Sequence, residues 1–218
     1  MLAGHFAPAF ALHRVRPTVP LWLLLLATQA VDVVFMIDVL AGIESAQLRT
    51  TELPRLLVTH GVWTHSLLMT AVYVGVVVGV GAALGHARAG LVVAAALGSH
   101  WVGDLLVHAP DLLLGLSQAP AYGLALWRLP VLAWGLEVGL VAGVGAWWIR
   151  ALSGTARTRG IGLVVGLCIV QTLSDFVVPL PPTDVELAYS ALPLYLLVAA
   201  AGAWVERGRR TTTTVAAR

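Results

Sequence analysis

Two short stretches carry the residues able to do chemistry. HGVWTHSLL (residues 60–68) sets His60 and His65, with Thr64 and Ser66, at the mouth of an apolar run. SHWVGDLLVHAPD (residues 99–111) sets His100, Asp104 and His108 at i, i+4 and i+8. On a helix that spacing stacks three ionisable groups along one face, with about 40° of drift per step. Imidazole and carboxylate are ligands shared by zinc, manganese and iron. His-x-x-x-Asp therefore offers two ligands to a divalent metal, with zinc the first expectation. His60 and His65 lie about 140° apart on a regular helix, so both reach one site only if His60 sits on the entering loop or an unwound turn.

More acids sit in apolar surroundings: Asp32 and Asp38, Glu137, and Asp175. By depth, Asp32, His100 and Glu137 fall near mid-membrane, while His65 and Asp104 fall nearer the outer face. Apart from Arg128 at the edge of the run that holds Glu137, no Arg or Lys lies within these runs to neutralise them. A charge facing lipid at the bilayer centre costs about 2.5–3.5 kcal/mol, so these faces must look inward. Three states satisfy them: protonated carboxyls, histidinium–carboxylate pairs, or a bound metal.

The elements that position these groups are membrane helices. The chain of 218 residues is 59% hydrophobic and 11% charged, against about 25% charged in soluble domains. The expected class is all-α, a polytopic transmembrane bundle with membrane lipids as partners. Six spans are read at 20–42, 62–85, 89–109, 126–149, 160–180 and 185–205, each close to the ~20 residues that cross ~30 Å of hydrocarbon. One integral-membrane domain covers 1–206, and 207–218 reads as a disordered polar tail. With the N-terminus inside, Arg14, Arg16, Arg88, Arg150, Arg157, Arg159, Arg207, Arg209, Arg210 and Arg218 face the cytoplasm. Arg49, Arg55 and Arg128 face outward, a positive-inside bias that puts both termini in the cytoplasm. The acids Glu44, Glu52, Asp111, Asp184 and Glu186 then fall on the outer side.

Arginines at span ends orient a chain rather than form a nucleic-acid patch, so no nucleic-acid partner is expected. The single cysteine, Cys168, excludes an intrachain disulfide and a cysteine zinc site. Residues 1–12 are apolar, but Arg14 and Arg16 follow them, the reverse of a cleavable signal. The pairs Gly75/Gly79, Gly81/Gly85 and Gly162/Gly166 and the series Gly135/Gly139/Gly143 are small-xxx-small patterns, expected where helices pack closely. Trp22, Trp127, Trp147, Trp148 and Trp204 read as interface anchors, and His13 and His86 as interfacial.

The two motifs together resemble the YdjM-like family of bacterial inner-membrane metal-dependent hydrolases. Those proteins carry a His-x-x-x-Thr-His-Ser type motif, then Ser-His-x-x-x-Asp on a later helix. They also carry an early His and an acidic motif. The resemblance implies that His5 in GHFAPAF is the early ligand and Asp32 in QAVDVVF the acid. It covers residues 1–111; beyond them Glu137 alone is a candidate. It implies a divalent metal, zinc first, since zinc-dependent phospholipases C use a similar set of spaced His and Asp on helices, and a lipid or lipid-linked (phospho)ester as substrate. His60, His65, His100, Asp104, Asp32 and His5 would be ligands, Glu137 a ligand or general base, and Asp104 part of the catalytic set. Thr64 and Ser66 would fix the imidazole tautomer, or Thr64 would cap the second span. The same residues also suit a proton- or ion-coupled transporter, or a non-catalytic scaffold held by His–Asp pairs.

Overall fold

The computed structural model describes residues 2–49, 53, 55–117 and 120–216; Glu52 and Arg218 lie outside them. The helices are α1 (Ala7–Val15), α2 (Leu21–Thr28), α3 (Ala30–Leu40), α4 (Leu67–Ala83), α5 (Ala87–Val107), α6 (Pro130–Ile149), α7 (Gly154–Phe176) and α8 (Asp184–Ala216). Two small antiparallel hairpins join them: β1 (Ser45–Leu48) with β2 (Leu56–His60), and β3 (Leu112–Leu113) with β4 (Ala121–Tyr122).

The chain is a bundle of apolar helices, as its composition predicts. Helices α5, α6, α7 and the Asp184–Gly208 part of α8 are long and apolar enough to cross a membrane. Together α2 and α3 make a further candidate, bent by 54° at Gln29. Helix α4 has 17 residues, short of the ~20 that a span needs. It starts late because its entry is not helical. His60 belongs to β2, and Ser66, rather than Thr64, caps the helix by accepting the Met69 N–H at 3.2 Å. Helix α8 runs through the expected tail as far as Ala216, since a helix already nucleated extends without a further nucleation cost.

The ends of the helices sort into two groups. The Leu21 N–H donates to Glu206 at 2.8 Å, Arg14 donates to the Trp147 carbonyl at 2.6 Å, and Arg159 donates to the Trp204 carbonyl at 2.7 Å. These bonds gather the ends of α1, α6 and α8 with the starts of α2 and α7. The hairpins lie at the opposite end, where the β1 N–H of Ala46 meets Asp184 at the start of α8 at 3.0 Å.

The first residues are inside this bundle. A 3-10 turn (Gly4–Phe6) leads into α1, which packs on α2, α5 and α6. Phe6 and Phe10 are fully buried, and Phe10 stacks on Trp148 with ring centroids 4.8 Å apart. Trp148 is thus a core residue, not an interface anchor. Trp147 and Trp204 do stand at one end, each beneath an arginine, Arg14 and Arg159, at 4.5 Å.

Helix crossings do not use most of the glycine pairs read from the sequence. Gly75, Gly79, Gly135, Gly139, Gly143, Gly162 and Gly166 all face open space. Close approach occurs instead at Gly81 against Gly90, where α4 and α5 meet backbone to backbone, and at Gly145, Gly160, Gly202 and Gly208. Spacing marks a small-residue stripe but not the helix that faces it. A Cβ on Gly81 would lie 2.7 Å from the Gly90 Cα, and overpacking of this kind costs about 1–3 kcal/mol. Gly81→Ala should therefore lower the melting temperature of the purified protein. Gly139→Ala, which meets nothing, should leave it unchanged or raise it slightly through helix propensity, worth up to about 1 kcal/mol.

Candidate metal centre

Four elements bring six side chains to one buried point. The 3-10 turn supplies His5, α3 supplies Asp32, and the turn before α4 supplies His65. Helix α5 supplies His100 and Asp104, with His108 at its C-terminal cap. His5, His65, His100, Asp104 and His108 are all buried, and Asp32 is 13% exposed. The i, i+4, i+8 stack of α5 does face inward as its chemistry requires.

Asp104 lies at the centre. Its Oδ1 is 2.9 Å from His5 Nε2 and 3.5 Å from His108 Nε2. Its Oδ2 is 3.0 Å from His100 Nε2 and 3.9 Å from His65 Nε2. Asp32 Oδ1 stands 3.3 Å from His100 Nε2 and 3.6 Å from His65 Nε2. The rings of His5 and His100 stack with centroids 3.8 Å apart.

Three of the four imidazoles are held from behind at Nδ1. His100 Nδ1–H donates to the Thr28 carbonyl at 2.8 Å, at the bend between α2 and α3. His108 Nδ1–H donates to Asp111 Oδ1 at 3.1 Å. His65 Nδ1 meets Thr64 Oγ1 at 2.8 Å, and that hydroxyl donates onward to Glu44 Oε2 at 2.5 Å. With the Thr64 proton directed at a carboxylate, its oxygen accepts from His65 Nδ1–H. In all three rings Nδ1 carries the hydrogen, so Nε2 of the neutral ring carries the lone pair and points at Asp32 and Asp104. Outer acceptors of this type orient metal-binding histidines and raise their basicity.

The arrangement fits a divalent cation. Buried His100 Nε2 makes no hydrogen bond, although carboxylate oxygens stand 3.0 and 3.3 Å away. An imidazole lone pair against two carboxylates is repulsive unless positive charge lies between them, supplied by a metal ion or by a proton on the ring. The described residues capable of holding a metal ion fall into three trios, each with ligand atoms within 4.8 Å of one another: His5–His100–Asp104, Asp32–His65–His100 and His65–Asp104–His108.

The structure brings together five of the residues predicted as ligands: His5, Asp32, His65, His100 and Asp104. His60 is not among them. It is exposed on β2, paired in register with Ser45, because the segment before α4 is a strand and turns away. Glu137 is buried beside the cluster but has another task. Its Oε2 accepts the N–H of Leu2 at 2.8 Å and of Gly4 at 3.4 Å, and Oε1 accepts Trp127 Nε1–H at 3.4 Å. Gln171 accepts the Ala3 N–H at 2.8 Å. Glu137 and Gln171 thus grip the turn that carries His5, and Glu137 belongs to none of the trios. Ser66 caps α4 and does not touch an imidazole, whereas Thr64 fixes His65 as expected.

Several contributors were not foreseen. Its spacing puts His108 on the α5 face without marking it as a ligand, and Glu44 and Asp111 read in the sequence as outer-loop acids. Asp111 also accepts the Val58 N–H at 2.9 Å, so one carboxylate ties β2 to His108. HAPD, with the acid three residues after the histidine, was the available signal. Trp127 packs on His108 with centroids 4.5 Å apart and does not serve as an interface anchor.

A cavity of about 360 Å³ opens off the cluster. Asp32, His65 and His108 form its polar end, while Phe35, Met36, Leu187 and Leu194 are among its apolar walls. The Tyr195 hydroxyl lines it and donates to Asp32 Oδ2 at 3.3 Å. Its rim includes Val178, Pro179 and Pro181 of the α7–α8 connection, and Phe176, Val177 and Val178 there are exposed.

No family model matches the chain, and neither does any curated protein or solved structure.

The grip on the first turn is testable without any ligand. Glu137→Ala leaves buried N–H groups unpaired, at a cost of about 1–3 kcal/mol. Amide exchange across residues 2–15 should then accelerate. Glu137→Gln, which retains an accepting oxygen, should exchange nearly as slowly as the wild type.

Proposed function

We propose that the chain is a metal-dependent hydrolase of the bacterial inner membrane, acting on a lipid or lipid-linked phosphoester. The observation that carries this reading is the set of Nε2 lone pairs, fixed from behind by Thr28, Thr64 and Asp111, converging on Asp32 and Asp104. A proton relay needs groups in sequence and free to change partners; here three imidazoles are locked and point inward. The likeness of the two motifs to the YdjM-like family supports the same reading. Bound there, a divalent ion supplies Lewis-acid polarisation of the scissile group and activation of water near neutral pH.

The chain's own residues set the substrate's place. The cavity is mostly apolar, with its ionisable groups Asp32, His65 and His108 at one end, so an amphiphile would lay its tail along Phe35, Met36 and Leu194 and present its ester to the cluster. Trp127 and the apolar walls limit the entry of bulk water. The exposed Phe176, Val177 and Val178 at the rim suit contact with the membrane interface, from which a lipid would enter.

We place six membrane-crossing segments in the bilayer, with α2 and α3 as one bent span and α4 as a short one; α1 is re-entrant, its first turn inside the bundle and its Arg14 end, like the C-terminus, on the cytoplasmic side. The helix ends gathered by Glu206, Arg14 and Arg159 are those that carry the inside arginines, as the positive-inside rule requires. Reporter fusions after Arg88 and after Arg157 should read cytoplasmic, and a fusion near Glu52 periplasmic. A periplasmic signal from the C-terminal tail would overturn this topology.

Activity is tested with the full chain purified in detergent. Elemental analysis should find a divalent metal, and phospholipid in mixed micelles should be hydrolysed until a chelator is added. Asp104→Asn keeps the shape and one accepting oxygen but removes the central negative charge. It should lose metal at least 10–100-fold in affinity, the scale set by changes around metal ligands, while its melting temperature stays near that of the wild type. A wild-type protein without metal or hydrolysis would replace this reading with proton-coupled transport, and hydrolysis indifferent to chelation would overturn its metal dependence.

A further inference from the structure

We infer that the centre holds two divalent ions rather than one, bridged by Asp104 and Asp32; this deepens the metal-dependent reading above and rests on it. Ligand atoms of one ion lie within about 4.2 Å of one another, twice a ~2.1 Å bond. The six side chains do not gather as one set. They form three overlapping trios. Two of these, His5–His100–Asp104 and His65–Asp104–His108, have Asp104 alone in common.

The chemistry of the shared residues decides how the trios divide. An imidazole whose Nδ1–H is committed has one nitrogen to give, so it serves one ion. This holds for His65, His100 and His108, whose Nδ1 atoms meet Thr64, the Thr28 carbonyl and Asp111. A carboxylate has two oxygens and can serve two ions. Asp104 stands within reach of both pairs: its nearest imidazoles, His5 at 2.9 Å and His100 at 3.0 Å, belong to one trio, and His108 and His65, at 3.5 and 3.9 Å, to the other.

The imidazoles then divide two and two. His5 and His100, stacked at 3.8 Å, serve one ion, and His65 and His108, with centroids 5.8 Å apart, serve the other. Asp32 completes the pattern. Its Oδ2 is held by Tyr195, and its Oδ1 lies between His100 of one pair and His65 of the other, at 3.3 and 3.6 Å. The cavity reaches Asp32, His65 and His108 but not His5 or His100. One ion therefore faces the substrate while the other lies deeper. A pair of ions is the arrangement that clamps the attacking and leaving oxygens of an in-line phosphoryl displacement. It suits the phosphoester class proposed above.

Metal stoichiometry tests this on the full chain in detergent, stripped by chelator and titrated with Mn(II). The wild type should bind two Mn(II) per chain and give the electron paramagnetic resonance spectrum of a spin-coupled pair. His5→Ala and His108→Ala should each bind one and give the signal of an isolated ion. His60→Ala, outside the centre, should retain two coupled ions. A wild type that binds one ion, or two without coupling, overturns the two-ion centre while leaving the metal-dependent reading intact. A wild type that binds none overturns both. If either ligand variant fails to fold, the wild-type stoichiometry and coupling still decide.

Discussion

Asp104 is the constraint around which the bundle is arranged. A carboxylate buried in a low-dielectric interior has to be met by positive charge or by protonation. The chain answers with imidazoles instead of arginines. Each imidazole is short and rigid, and brings a backbone element with it. His5 requires the first turn to be inside, His65 requires the turn before α4 to bend inward, and His108 requires α5 to end where it does. The bend between α2 and α3 is part of the same answer, since it leaves the Thr28 carbonyl where His100 Nδ1–H can reach it. Asp104 and His100 together thus tie α5 to three other parts of the chain, the first turn, the α2–α3 bend and the turn before α4, and packing has to accommodate all of them at once.

A second set of polar contacts supports the first. Glu44, Asp111, Glu137 and Gln171 touch no ligand nitrogen through the cavity, yet each fixes a segment that carries one. They lie on loops or on helices distant in sequence. Buried side chains of this kind would be costly if left unpaired. Here their acceptors are used on backbone N–H groups and on Nδ1–H, so the polar shell closes on itself.

The bundle and the heart of the site were legible because they depend on local periodicity. Apolar runs and the His100, Asp104, His108 spacing both follow from the geometry of one helix. The rest depends on where separate segments meet. His60 and His65 look equivalent in HGVWTHSLL, but a strand ends between them and only His65 turns inward. Glu137 has the depth of a catalytic acid, and no pattern near it reveals that its partners are the amides of Leu2 and Gly4. Glu44 and Asp111 resemble ordinary loop acids until β1 and β2 bring the loops against the cluster. The glycine pairs show the same limit: a helix records its small stripe, not its neighbour.

The placement of His5 also sets an order of assembly. The turn that carries it is held by Glu137 of α6 and Gln171 of α7, partners more than 130 residues further along the chain. During synthesis the earliest of the six clustered residues must wait for helices made much later. Until α6 and α7 arrive, its turn has no grip and Asp104 lacks one of its imidazoles. A ribosome-bound fragment that already contains His65, His100, Asp104 and His108 is therefore still an incomplete vessel. Maturation of the centre is coupled to near-completion of the bundle, and a chain arrested midway holds no finished cluster.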